Sequence, residues 1–257
     1  MAMPIRELKV DRLNVKIYPD RAALGQAAGM AGAARIRAMQ QDPGLLNLLF
    51  AAAPSQEETL EALRQEPGID WGRINAFHLD EYLGLPAGAP QSFGRYLKDR
   101  LFDRLPFRQV FYIDGHAADA AAECERYGRL LREHRIDLTF LGIGENGHLA
   151  FNDPGIADFQ DPLWVKVNEK LDAACRQQQV TDGQFRTLAE VPTRAITLTI
   201  PALFSARGAL ALVPGGRKRD IVRRTLQGPI DPACPATILR RHANACLFLD
   251  RDSGALL

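Results

Sequence analysis

Apolar residues along this chain alternate between a period of two and a period near 3.6, and the alternation sketches a series of strands and helices. From Leu13 to Tyr18 every second residue is apolar, as in a strand, and from Asp20 to Gln41 an alanine-rich stretch keeps helical spacing behind an aspartate placed to cap its first turn. Leu45 to Ala53 is a mostly apolar run of the kind a strand covered on both faces shows. Behind it, Ser55-Gln56-Glu57-Glu58 reads as a capping box opening a helix to about Glu66. A strand from Ile74 to Leu79 ends at Asp80. Further on, the pattern predicts a helix over Ser92 to Phe102, a short strand over Gln109 to Ile113, a long amphipathic helix over Ala117 to Glu133 and a strand over Asp137 to Ile143. The unit then repeats: strands over Ala195 to Ile200 and Ala209 to Val213, a helix over Arg217 to Leu226, and a closing strand over Ala245 to Leu249.

Strands that alternate with helices argue for parallel pairing through helical crossovers, hence an open three-layer α/β/α sandwich around a Rossmann-like, mostly parallel sheet. No low-complexity or linker-like stretch interrupts the pattern, so residues 1–257 are read as a single domain.

The chain is 46% hydrophobic, enough for a sizeable core, and its formal net charge is +1. That balance gives no electrostatic reason to expect a nucleic acid or an anionic membrane as partner, and favours a small molecule. Arg6 and Glu7 near the start, and the lack of any long uninterrupted apolar run, predict a soluble cytoplasmic protein rather than a secreted or membrane one. Cys124, Cys175, Cys234 and Cys246 are widely spaced, without a Cys-x-x-Cys pair, and read as buried thiols.

In a parallel sheet the loops beyond the strands' C-terminal ends converge on one cleft. Four such loops are predicted here: the Ser55 loop, Asp80-Glu81-Tyr82, the turn from Gly142 to Pro154 that carries His148, and Pro214-Gly215-Gly216-Arg217-Lys218. Asp80 beside an apolar strand is placed where desolvation raises a carboxyl toward a useful value for proton abstraction, although an acid after a strand is also common turn chemistry. His148 follows closely spaced glycines, with Glu145 and Asp153 near enough in sequence to orient its ring. The Gly-Gly turn opening a helix, with Lys218 beside it, suits an anion such as a phosphate, and equally suits an ordinary turn. His78, His116, His134 and His242 lack the glycine frame of His148, and no histidine pair has the spacing of a known metal motif, so no metal is expected.

Phe77 through Pro86, with Asp80-Glu81-Tyr82, and the block Gly142 through Pro154 resemble the signatures of the glucosamine-6-phosphate deaminase family, which shares its fold with 6-phosphogluconolactonases. The resemblance extends through Val191-Pro192 and the Lys218 loop. It implies ring opening of an amino sugar phosphate, transfer of the C2 proton to C1 and loss of ammonia, without a cofactor. On that resemblance Asp80 moves the C2 proton, His148 opens the ring, Asp153 takes the place of a supporting glutamate and Lys218 binds phosphate. The catalytic set is then Asp80, His148, Asp153 and Glu145, and the substrate-binding set Ser55, Glu81, Asn146, Gly147, Arg176 and Lys218.

The chain departs from the family pattern in several places. Ala51-Ala52-Ala53 replaces a Gly/Ser/Thr-rich phosphate loop, Asp153 is one methylene short, and Asn146 stands where some members carry aspartate, leaving Asp153 or Glu145 to orient the imidazole. Arg176 is the nearest match for the family's phosphate arginine. A lactone hydrolase and a sugar-phosphate sensor without turnover are the competing readings, and the partner is a sugar phosphate, with a homo-oligomer allowed.

Overall fold

The computed structural model describes residues 3–257. Its main sheet has eight strands in the order β1-β2-β11-β10-β7-β3-β4-β6, formed by β1 (Arg6–Val10), β2 (Leu13–Tyr18), β3 (Leu46–Phe50), β4 (Ile74–His78), β6 (Gln109–Phe111), β7 (Leu138–Leu141), β10 (Gly208–Val213) and β11 (Ala245–Asp250). Every neighbouring pair is parallel except the β1/β2 hairpin. A second sheet of three short antiparallel strands, in the order β5-β9-β8, is made of β5 (Asp80–Tyr82), β8 (Val165–Asn168) and β9 (Ala195–Leu198).

Strand residues alternate between two apolar layers, one on each face of the main sheet. On β10, Ala209, Ala211 and Val213 face one layer while Leu210 and Leu212 face the other. The first layer is closed by α4 (Ala120–Glu133), α6 (Ile200–Phe204) and α7 (Arg219–Gln227), the second by α1 (Arg21–Met39), α2 (Glu57–Gln65) and α3 (Phe93–Leu97). This is the expected mixed α/β architecture, with helices on both faces of a largely parallel sheet. On α1, a Cβ added at Gly25 would fall 2.3 Å from the Glu58 Cβ, and one at Gly29 would fall 2.6 Å from the Ala62 Cβ. The small residues of that helix therefore set its close approach to α2. Among the described residues, no helix is long and apolar enough to cross a membrane.

The structure corrects the sequence reading at several elements. Ala195–Leu198 does not continue the parallel repeat: it lies in the small antiparallel sheet, between β5 and β8. Its all-buried pattern is the same in either setting, so periodicity could not separate them. The capping box at Ser55 is not formed. Pro54 starts a 3-10 turn, Pro54–Gln56, that feeds into α2, whose N-cap Gln56 makes no side-chain cap. The helix expected from Ala117 starts at Ala120, where the Asp119 side chain accepts from the N–H groups of Ala121 and Ala122. Asp20 caps α1 as expected, accepting from Ala23 N–H.

Candidate active site

After β3 the chain connects toward one edge of the sheet, and after β7 toward the other, so the boundary between these adjacent strands is the topological switch point. The cleft lies there, with about 810 Å³ of open space. Its walls come from the four expected loops: Ala51 to Ser55 after β3, Leu79 and Asp80 after β4, Gly142 to Gly144 and His148 after β7, and Pro214, Arg217 and Lys218 after β10. A further element, α5 (Ala173–Thr181), contributes Gln178 and Gln179, with Asp182 just beyond its end.

Asp80 reaches the cleft because the chain leaves the main sheet at Leu79 and pairs with β9, opposite Thr197. The buried His78 ring pins this departure. Ile113 N–H can only donate, so His78 Nε2 accepts from it at 2.9 Å and Nδ1 carries the proton given to the Asp80 carbonyl, also at 2.9 Å. Burial lowers the His78 value, in keeping with a neutral ring. The Asp80 carboxyl is itself buried, and desolvation, with the neighbouring Glu81 charge second, pushes it well above the usual carboxylate range.

Glu81 points the other way, as strand alternation requires. Its carboxylate accepts from Tyr82 N–H, the Ser92 hydroxyl, Phe93 N–H and Gly94 N–H at 2.8–3.0 Å, which ties β5 to the start of α3. Expected to bind substrate, Glu81 instead has these four bonds inside the fold and does not line the main cleft.

His148 sits on a turn shaped by glycine. A Cβ on Gly144 would lie 2.1–2.4 Å from three atoms of the imidazole, so the ring occupies space that only glycine leaves. Gly147 has φ +95°, and a Cβ there would press on Cys234 and Ile221 at 3.0 Å, away from the cleft. Its place is in the turn, and it does not line the cleft as a ligand contact.

Around the ring, Asn146 Oδ1 lies 2.8 Å from Nδ1 and accepts from His148 N–H at 3.0 Å, while Asp153 Oδ1 lies 3.3 Å from Nδ1. Asn146 Nδ2 donates to Asp153 Oδ1 at 3.0 Å and to Asp172 Oδ1 at 3.1 Å. Asp153 is largely buried, yet the contact with His148 and the Asn146 amide hold its carboxyl below the usual range against desolvation. Asn146 thus orients the imidazole directly, with Asp153 beside it. Glu145 does not take part: its carboxylate lies 3.2 Å from Arg217.

Cys175, on α5, is buried, with Sγ 4.0 Å from His148 Nε2. Burial raises this thiol well above its ordinary value. Nothing in the local sequence pattern marks Cys175, Asp172 or Arg21 as residues of the site. His148, Asp153 and Cys175 set donor atoms within 4.8 Å of one another. Asp153 lies nearest Nδ1 of the ring and Cys175 nearest Nε2.

The other end of the cleft is cationic. Lys218 is buried and donates to the Ile143 carbonyl at 2.8 Å and to Gln178 Oε1 at 3.3 Å. Desolvation lowers its ammonium to about 8. Arg217 pairs with Asp182 as well as Glu145, and Arg21 lies at the same rim, 2.6 Å from Glu58. Ser55 also lines this wall, its hydroxyl accepting from Gln56 Nε2 at 3.2 Å. Arg176 is absent from it: its guanidinium donates to the carbonyls of Leu188 and Val191 at 2.6 and 2.8 Å, fastening α5 to the segment behind. The arginines on the cleft wall are Arg21 and Arg217.

Fold and cleft together define a parallel α/β protein whose switch point carries a desolvated carboxyl, an oriented imidazole and a cationic wall. The chain belongs to the family described as glucosamine-6-phosphate isomerases/6-phosphogluconolactonase, whose model matches residues 19–248. It is 35% identical over 214 residues to a glucosamine-6-phosphate deaminase of Listeria monocytogenes, covering 83% of this chain and 89% of that relative. A glucosamine-6-phosphate deaminase of Bacillus thuringiensis is 37% identical over 188 residues, 73% of this chain and 70% of its own length. Among solved structures, a monomeric glucosamine-6-phosphate deaminase matches with a TM-score of 0.85 at 30% identity, covering 95% of this chain and 99% of that one. A 6-phosphogluconolactonase of Thermotoga maritima has a TM-score of 0.74 at 20% identity over 92% and 98% of the two chains, a likeness of fold.

Proposed function

We propose that this protein is a deaminating aldose–ketose isomerase that converts glucosamine 6-phosphate to fructose 6-phosphate and ammonia. The observation that carries the reading is Asp80: a desolvated carboxyl, without a side-chain partner among the described residues, aimed into the same cleft as His148 and the cationic wall.

In this reading the phosphate sits against Lys218, Arg217 and Arg21, the last two in exchange for part of their pairing with Asp182 and Glu58. His148 Nε2 takes the proton of the anomeric hydroxyl and returns it to the ring oxygen as the C1–O5 bond breaks and the C1 aldehyde forms. Asp80 removes the C2 proton as the aldehyde oxygen O1 gains a proton and the C2 ammonium loses one, giving an enolamine, and then delivers the C2 proton to C1 to leave a C2 iminium. Water then adds to the C2 iminium and ammonia leaves, giving the ketose. Each proton-transfer group contributes roughly 10²–10⁴-fold.

The test is ammonia release from glucosamine 6-phosphate, run beside hydrolysis of 6-phosphogluconolactone. Stoichiometric ammonia and fructose 6-phosphate are expected. Hydrolysis of the lactone without deamination would replace this reading with a lactonase, and binding without turnover of either compound would replace it with a sensor.

A further inference from the structure

An asparagine amide carries two N–H donors and one carbonyl, and at Asn146 all of them are committed. Both N–H groups face carboxylates, Asp153 on the same turn and Asp172 at the start of α5, so the carbonyl must face His148. The opposite orientation would set a carbonyl oxygen against two anions. With Asn146 Oδ1 fixed as an acceptor, His148 Nδ1 carries the proton and the Nε2 lone pair is the one left toward the cleft. The Nδ1–H tautomer needed for ring opening is thus favoured both by Asn146 Oδ1 and by Asp153 Oδ1, 3.3 Å from Nδ1, and the amide itself is held by His148 N–H, Asp153 and Asp172.

Asp172 has a second task. Its Oδ1 accepts from the N–H groups of Ala174 and Cys175 at 2.9 and 3.2 Å, capping α5, and its own N–H donates to Asp153 Oδ2 at 3.3 Å. We infer that Asp172 is a positioning residue for His148: acting through Asn146, it supplies from α5 a carboxylate that holds the amide, and with it the reactive imidazole tautomer, in the working orientation. This rests on the proposed deaminase reading for its catalytic consequence, but not for its structural one. The titratable groups in contact with this ring are Asp153 from its own turn, 3.3 Å from Nδ1, and Cys175 from α5, 4.0 Å from Nε2; Asp172 reaches it through Asn146, and Asp80 and Lys218 line the same cleft.

Two substitutions separate positioning from capping. Serine and asparagine cap helices about as well as aspartate, but a serine hydroxyl at 172 is too short to keep Asn146, whereas an asparagine carbonyl keeps both bonds. Asp172→Ser is expected to lower kcat on cyclic glucosamine 6-phosphate by roughly tenfold with KM little changed, the cost of a misaimed catalytic group. Asp172→Asn should restore most of the rate. Independently of turnover, the ring-nitrogen chemical shifts of histidine-labelled protein, with the His148 signals assigned by their loss in His148→Gln, should report the same Nδ1–H environment in the wild type and Asp172→Asn, and a displaced Nδ1 shift, from a loosened bond to Asn146, in Asp172→Ser. Unchanged shifts and kcat in Asp172→Ser, or equal impairment of the two variants, would overturn the inference. If the wild type releases no ammonia, the deaminase reading fails alone and the shifts still decide the role of Asp172.

Discussion

At the scale of single residues the site stores an unfavourable ionisation. Asp80 is desolvated beside Glu81, so its carboxyl holds a proton to higher pH than the roughly 3.9 of an unfolded aspartate. Between those two values the unfolded chain binds fewer protons than the folded one, and stability falls as pH rises through that window. Asp80→Asn should therefore stabilise the fold at neutral pH relative to the wild type, with the gain vanishing in acid, while removing most turnover. A kcat loss of at least about 10²-fold with KM nearly constant is expected, and thermal melts at acid and neutral pH beside steady-state kinetics check both halves. Activity within threefold of wild type would sink the role of Asp80. Gly144→Ala is the steric counterpart: the new methyl occupies the imidazole's place, so His148 must turn away. Loss of turnover with unchanged near-ultraviolet circular dichroism is the expected outcome, and full activity would mean that the ring sits elsewhere in the working enzyme.

Among the elements, the sequence made legible those whose pattern is set by local burial. The strands β2, β3, β4, β6, β7, β10 and β11 stand where apolar periodicity put them, and the four loops beyond them meet in one cleft as expected. What escaped either lacks a core pattern of its own or is held by distant partners. β1 is an edge strand with mostly exposed, charged residues, so its pattern carries no core signal. β5 is three residues long and exists as a strand by pairing with β9, more than a hundred positions away. In α5, Cys175 alone is buried, leaving Asp172 and Gln178 with no sequence signature of their roles. Glu81 shows the same limit from the other side: adjacent to Asp80 it looks chemical, but its partners on α3 make it a clamp. Glu81→Ala should accordingly cost about 3 kcal/mol of stability, since it strands several buried donors, and leave KM for the sugar close to wild type. Urea denaturation with parallel kinetics decides this; a raised KM at unchanged stability would return Glu81 to the substrate site.

For the whole molecule, a net charge of +1 provides no long-range field to draw in an anion, so selectivity for a phosphate has to come from the cleft wall itself. Three cations gather there, and two, Arg21 and Arg217, are already paired with carboxylates. Lys218 is different. Among the described residues it donates only to a carbonyl and an amide oxygen, which leaves its positive charge without a direct ion pair there and one N–H for the ligand. A charge-assisted contact of this kind contributes on the order of 1.5–3 kcal/mol. Lys218→Ala is therefore expected to weaken binding of the phosphorylated sugar by roughly tenfold or more while scarcely changing that of its non-phosphorylated analogue. Desolvation lowers the ammonium to about 8, so the Lys218-dependent part of the affinity should be greatest between the second ionisation of the phosphate, about 6, and that pH, and fade as pH rises through it, a loss absent from the alanine variant. The same depression makes the wild-type fold gain stability with rising pH between about 8 and the unfolded lysine value, because there the unfolded chain binds more protons. Calorimetric titration of both sugars across this range, in wild type and Lys218→Ala, measures the difference directly. Equal wild-type affinity for the two sugars, or equal weakening of both in the variant, would mean that this wall does not read a phosphate and that the substrate lies outside the sugar phosphates.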